Sequence, residues 1–202
     1  MVDVVRPGTL EEAVLAFLRA EWKSPSSRRH LDVTNVSERI IKDPDLTDPA
    51  ENSERWRALG KRQIILRNLP GSTEWWVARI GADDLRDLRT GEYKLWIRLS
   101  DGTRLLLKVA ETIHRDGWPW SSDQELQEEL AQAREAVPNI LRDLKNGKKL
   151  DPLLLVGNAV GGPFRLIEGT KRATALCLFH CLNGAVSEGI DVLLGIDPDI
   201  PL

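Results

Sequence analysis

The nine residues Leu166-Ile-Glu-Gly-Thr-Lys-Arg-Ala-Thr174 constrain this chain more than any other stretch of it. An apolar run, Phe164 to Ile167, stops at Glu168-Gly169, and a helix-forming run begins at Ala173. That order reads as a strand, a turn tightened by glycine, and a helix start. The first amides of a helix have no partner within it, and the positive end of the helix dipole lies beside them. Lys171 and Arg172 add fixed cations at the same place. Together these groups suit a phosphate or a carboxylate. Gly169 lets the backbone approach such a ligand closely, and the amides around Lys171–Ala173 point outward. The Arg172 fork matches a pair of oxygens.

The surrounding pattern places this junction in a mixed α and β chain. Thr9-Leu-Glu-Glu12 reads as a capping box that opens a helix. Leu10, Val14, Phe17, Leu18 and Trp22 then recur at helical spacing. Residues 24–53 are polar and broken by Pro25, Pro44 and Pro49, which predicts a loop-rich connector with a brief helix over 37–42. Its acidic run, Asp43 to Pro49, lacks the ligand spacing and glycine of a calcium loop and reads as a surface turn. Gln63–Leu66 and Trp75–Ile80 are expected as strands, separated by a turn at Leu69-Pro-Gly-Ser72, and Asp83–Arg89 as a short helix. Tyr93–Leu99 alternates, and Ser100-Asp-Gly-Thr103 joins it to Arg104–Val109, which together predict a β-hairpin.

Ser122-Asp-Gln-Glu125 offers a second capping box for a helix to about Ala136, with another helix starting at Pro138 and stopping at Asn146-Gly147. Strands are expected at Pro152–Val156 and Phe164–Ile167, a helix over Thr170–Leu182, and a last strand over Gly189–Leu194. We therefore expect residues 1–60 to form an N-terminal helix and connector, and residues 61–202 to form the domain proper.

With 202 residues and a net charge of −3, the chain lacks the global basic excess of proteins that grip duplex DNA. No apolar run reaches the roughly 18–20 residues that span a bilayer. The first eight residues lack the pattern of a secretory signal. Cys177 and Cys181 stand four apart in one expected helix, a spacing that fits disulfide geometry poorly. A cytoplasmic location is the natural expectation.

From Pro138 to Leu182 the order of elements resembles the ParB/sulfiredoxin-like superfamily. The residues that carry the resemblance are the helix end Leu144-Lys-Asn-Gly147, the proline-opened strand at Pro152, and the G-x-x-R turn Gly169-Thr-Lys-Arg172 followed by Ala173 and Ala175. Asp191-Val-Leu-Leu-Gly195 is similar to the strand that follows this helix in many bacterial members. The resemblance implies an α+β fold, a mixed sheet with flanking helices, and a nucleotide whose triphosphate faces the turn, accompanied by Mg²⁺. It also marks departures. Sulfiredoxin carries a catalytic cysteine directly after the motif glycine, where this chain has Thr170. ParB partition proteins have Gly-Glu-Arg-Arg, and the kinase members have histidines where Thr170 and Lys171 stand here. The chain ends about twenty residues past the motif helix, so no long helix-turn-helix region is expected.

Each candidate residue has a functional and a structural reading. Glu168 is placed to hold Mg²⁺ or act as a base, or to accept bonds from the turn's own amides. Thr170 is suited to donate to a phosphate or to cap the helix. His114 is a candidate general base, and Trp118 and Trp120 are candidates for stacking on a nucleobase, or for closing a core edge. Glu54-Arg-Trp-Arg57 and Lys61-Arg62 place a small basic cluster upstream of the first expected strand, which meets a polyanion or phosphate or stays solvated. Cys177, His180 and Cys181 share a helix face, but nothing distant completes a zinc set, so an apolar face with small thiols is expected. Three functions follow from these residues: a nucleotide-binding domain that transfers or hydrolyses phosphate, a non-catalytic regulatory protein with the same fold, and a DNA-associated factor or nuclease.

Overall fold

In the computed structural model, residues 2–23, 28, 30–32, 34, 36–184 and 189–202 are described. Five strands form a single mixed sheet. These are β1 (Asp3–Pro7), β2 (Glu74–Ile80), β3 (Leu153–Gly157), β4 (Phe164–Glu168) and β5 (Ile190–Ile196). Their order across the sheet is β1-β2-β5-β3-β4. β3 runs parallel to β5, and the other neighbours are antiparallel. Every residue of β3 is buried, which requires cover on both faces of the sheet.

Alternation along the strands divides the core into two layers. Leu153 and Leu155 face one layer, with Ala78, Ile80, Phe164, Leu166, Val192 and Leu194. Leu154 and Val156 face the other, with Trp75, Ile167 and Leu193. The second layer is closed by α1 (Leu10–Lys23), whose Val14, Phe17 and Leu18 are each at most 1% exposed. The expected capping box is present in both directions. The Thr9 amide donates to Glu12 Oε2 at 3.0 Å, and the Glu12 amide donates to Thr9 Oγ1 at 3.1 Å.

Residues 1–60 and 61–202 thus share one core rather than dividing at residue 60. The N-terminal segment supplies both α1 and the edge strand β1. That strand gave no sequence signal because all five of its residues are exposed and a bulge interrupts its register.

The connector is organised by a buried arginine. It carries α2 (Arg39–Lys42) and α3 (Pro49–Ala58), the latter capped by Asp48, which accepts from the Ala50 amide at 2.8 Å. Arg55 is 0% exposed. Its guanidinium donates to the Ile40 carbonyl at 3.1 Å, Glu51 Oε2 at 3.3 Å, the Asp45 carbonyl at 2.8 Å and Asn52 Oδ1 at 2.5 Å. A short 3₁₀ turn, Gly60–Arg62, then leads into α4 (Gln63–Arg67).

Three expected strands are helical. Gln63–Leu66 lies in α4, where Leu66 is buried and Ile64 is 55% exposed. A run of four apolar and polar residues is too short for periodicity to separate the two states. β2 is followed by α5 (Ala82–Arg86), which overlaps the expected Asp83–Arg89 helix but begins one residue earlier and ends three earlier. Tyr93–Leu99 forms α6 (Lys94–Leu99) and Arg104–Val109 enters α7 (Leu106–Asp116). The buried positions Leu95, Trp96 and Leu99, then Leu106, Val109 and Ala110, follow helical spacing. The turn between them is real, with Asp101 at φ +54° and Gly102 at φ +79°, but it joins two helices.

The two helices expected around Pro138 are one, α8 (Gln124–Lys145). Pro138 lies on its exposed side, where the unpaired carbonyl four residues earlier opens to water. Its N-cap is Asp123, which accepts from the Leu126 amide at 3.2 Å, one residue beyond the expected box. After β4 come α9 (Thr170–Leu176) and a π-helical turn, Cys177–Leu182. No helix of the described residues is long and apolar enough to cross a membrane.

Replacing Arg55 with methionine removes those bonds and leaves the Glu51 carboxylate short of a partner. The expected loss is roughly 3 kcal/mol, read as a lower urea midpoint with an unchanged slope.

Candidate functional site

Gly169 sits between β4 and α9 with φ +98°, the left-handed region where glycine carries no steric penalty. A Cβ there would stand 2.8 Å from Leu153 Cδ2 and 3.1 Å from Arg172 Nη2. The first helical bond is from the Ala173 amide to the Gly169 carbonyl at 2.8 Å. The amides of Thr170, Lys171 and Arg172 therefore precede the helical ladder. Thr170 is the first helical residue and Gly169 takes the N-cap position, so the threonine hydroxyl is not the cap.

Arg172 has a different role from that of an open fork. Its Nη1 donates to the carbonyls of Asp151 at 2.8 Å and Pro152 at 3.0 Å, and its Nη2 donates to Glu168 Oε2. Glu168 also accepts from the Gly169 amide. Burial pushes the Glu168 carboxyl well above the usual range, and Arg172 opposes that shift. The Asp151 carboxylate is held from the other side by Lys23 of α1 at 2.5 Å. The guanidinium thus fastens the turn to the start of β3.

The turn opens onto a cavity of about 690 Å³ that Lys171 also lines. Lys171 donates to Gln132 Oε1 at 3.3 Å. Burial lowers its pKa, while Glu21, Glu168 and Glu129 pull it back up. Across the cavity lie Glu21 from α1, Arg62 from the 3₁₀ turn, Tyr93, and Glu129 of α8. Glu21 is 7% exposed, and its Oε2 stands 3.4 Å from Arg62 Nε without a hydrogen bond. Burial raises the pKa of Glu21, which Arg62 partly offsets. Burial also raises the Tyr93 hydroxyl, again opposed by Arg62. Three carboxylates, Glu21, Glu129 and Glu168, therefore face three cations, Arg62, Lys171 and Arg172.

That balance bears on a metal. Glu168 is turned to Arg172 and Glu21 to Arg62, so neither offers Mg²⁺ an uncommitted carboxylate. Among the described residues no group of three or more His, Cys, Asp or Glu is arranged to hold a metal ion.

The structure gathers Glu168, Gly169, Thr170, Lys171 and Arg172 at this cavity, but His114, Trp118 and Trp120 do not line it. His114 is exposed near the end of α7. Trp118 packs against two hydrophobic clusters, and the carbonyl of Pro119 beside it accepts from Arg134 at 2.8 Å. Trp120 is 73% exposed, outside the site. Cys177 is buried in the core, where desolvation raises its thiol, and Cys181 donates to the Ala82 carbonyl at 3.4 Å. Their shared face is a packed one.

Glu21, Tyr93, Glu129 and Gln132 join the site without having been singled out in the sequence. One signal was available for Glu21. It continues the spacing of Val14, Phe17 and Leu18, which sets an acid on an apolar stripe. Comparison of the chain with protein-family models, with curated proteins and with solved structures found no match.

Glu21 supplies a pH test. Its folded pKa lies above the unfolded value, so the folded state holds the extra proton within that window. Stability then falls as pH rises through the window, and the loss is complete above it. Glu21→Gln is expected to raise the melting temperature at pH 7.5, with the gain closing towards about pH 4. Melting curves of both proteins across pH 4–8 check this. A gain that grows on acidification contradicts it.

Proposed function

We propose that this chain is a nucleotide-binding domain of the ParB/sulfiredoxin-like superfamily, with its phosphates held at the Gly169 turn. The observation that carries this reading is the opening of that turn onto a cavity that also holds Lys171. The amides of Thr170, Lys171 and Arg172 and the Lys171 ammonium are the phosphate contacts. Arg172 shapes the turn by tying it to Asp151 and Pro152. Gly169 keeps the backbone close to the ligand. Any Mg²⁺ enters coordinated by phosphate oxygens, because the nearby carboxylates are already matched by cations.

The same geometry favours binding without turnover over a phosphotransferase or hydrolase. Glu168, the expected base, is engaged by Arg172 and by the Gly169 amide. His114 lies outside the cavity lining. A domain that binds nucleotide and signals its presence to a partner fits these residues better than one that moves a proton.

A thermal-shift panel with ATP, CTP and GTP, each with and without Mg²⁺, tests the reading. A nucleotide at a hundredfold excess over its Kd contributes about 2.7 kcal/mol. In a chain of this size that corresponds to a rise of roughly 5–10 °C. Lys171→Gln is expected to abolish most of the rise while leaving the unliganded melting temperature near that of the parent. Arg172→Ala is expected to lower the unliganded melting temperature itself. No response to any nucleotide, or the same response in Lys171→Gln, contradicts the proposal. Phosphate release above background contradicts its non-catalytic part.

A further inference from the structure

The cavity beside the Gly169 turn holds an ion pair whose facing atoms are buried and lack hydrogen bonds. Glu21 Oε2 and Arg62 Nε stand 3.4 Å apart, and neither has a hydrogen-bond partner. A buried carboxylate is costly when its oxygens are not bonded. The other two acids on this side of the cavity are better held. Glu168 accepts from Arg172 and from the Gly169 amide, and Glu129 Oε2 accepts from the Leu95 amide at 3.3 Å. Of the three, Glu21 is the acid that gives up least on taking a proton.

Titratable groups face Glu21 from every element that lines the cavity with it. The 3₁₀ turn supplies Arg62, the segment before α6 supplies Tyr93, α8 supplies Glu129, and the β4–α9 turn supplies Glu168, Lys171 and Arg172. Glu135 of α8 stands exposed at the rim. The remaining charges of the lining are in pairs: Lys23 with Asp151 at 2.5 Å, Lys148 with Asp143 at 2.7 Å, and Lys149 with Asp191 at 2.6 Å. Without ligand, three inner carboxylates thus balance three inner cations. A phosphate adds up to about two negative charges, which a partly desolvated site must offset. Burial already raises the Glu21 carboxyl, and a further anion in the cavity acts in the same direction.

Given phosphate at the Gly169 turn, the reading on which this rests, we propose that the anion enters the cavity together with one proton, taken up by Glu21, and that Arg62 then joins Lys171 as a cation for it. The proton comes from the buffer, and no other bond is made or broken. Protonation removes the charge that Arg62 opposes, which leaves a guanidinium suited to phosphate oxygens in the same cavity. The sign of the pH dependence follows from linkage. The complex holds Glu21 protonated to higher pH than the free protein does, so affinity is greatest where the free protein is already protonated. It falls as pH rises, until the pKa of the complex is passed.

The test is isothermal titration calorimetry with ATP and with CTP, without Mg²⁺, in Pipes and in Tris, buffers of low and high ionisation enthalpy. It is run on the parent and on Glu21→Gln, its neutral isostere, from pH 6.5 to pH 8. The parent is expected to show a buffer-dependent enthalpy that reports more proton uptake than Glu21→Gln does. Its Kd is expected to rise with pH more steeply than that of Glu21→Gln, by up to about tenfold per unit. Adding Arg62→Gln to Glu21→Gln, where no charged Glu21 is left unopposed, is expected to weaken binding by about tenfold. Equal proton uptake by the parent and Glu21→Gln overturns the proton step, and unchanged binding on loss of Arg62 overturns the second cation. Either result leaves the phosphate site at the turn standing. No binding of either nucleotide to the parent removes that site, and the proton step with it.

Discussion

The Arg172 guanidinium ties the β4–α9 turn to the chain just before β3, remote from it in sequence. It bonds Glu168 at the end of β4 and the carbonyls of Asp151 and Pro152 before β3, from a backbone in the first turn of α9. Without it, a nearly buried carboxylate would lack its charge partner, a loss that is severe in a low-dielectric setting. The same bonds hold Gly169 in its left-handed turn and set the direction in which α9 leaves the sheet. The exposed helix-start amides and the placement of Lys171 follow from that direction.

The charges around the cavity are evenly matched, which shapes what it is suited to do. Arg62, Lys171 and Arg172 are already opposed by carboxylates, and burial raises Glu21, Glu129 and Glu168 towards protonation. An arriving phosphate must therefore compete with Glu21 and Glu168 for Lys171, or be joined by a proton. A cluster of this kind is better suited to sensing an anion than to driving chemistry on it.

Much of this was legible in the sequence where local physics and tertiary structure agree. The β4–α9 junction, the Thr9–Glu12 box and the strands at Leu153–Gly157 and Ile190–Ile196 are each specified by short-range pattern. The failures lie where alternation and helical spacing overlap. Leu95, Ile97 and Leu99 satisfy a strand pattern, yet Leu95, Trp96 and Leu99 satisfy a helix, and packing decided for the helix. Asp101-Gly102 signalled its turn correctly but not what it connects. Arg172 was legible as a cation at the turn, whereas its engagement by two carbonyls depends on a strand start about twenty residues upstream. Glu21 and Tyr93 come to line the cavity with Lys171 only through the tertiary fold, which no local window contains.

The most direct measurement is a nitrogen–proton NMR titration of the isotope-labelled protein with ATP and with CTP. Our account expects the largest shifts at the backbone amides of Thr170, Lys171 and Arg172, with the Trp120 indole unmoved. Saturating nucleotide that leaves those three amides in place, or that moves the Trp120 indole instead, contradicts it.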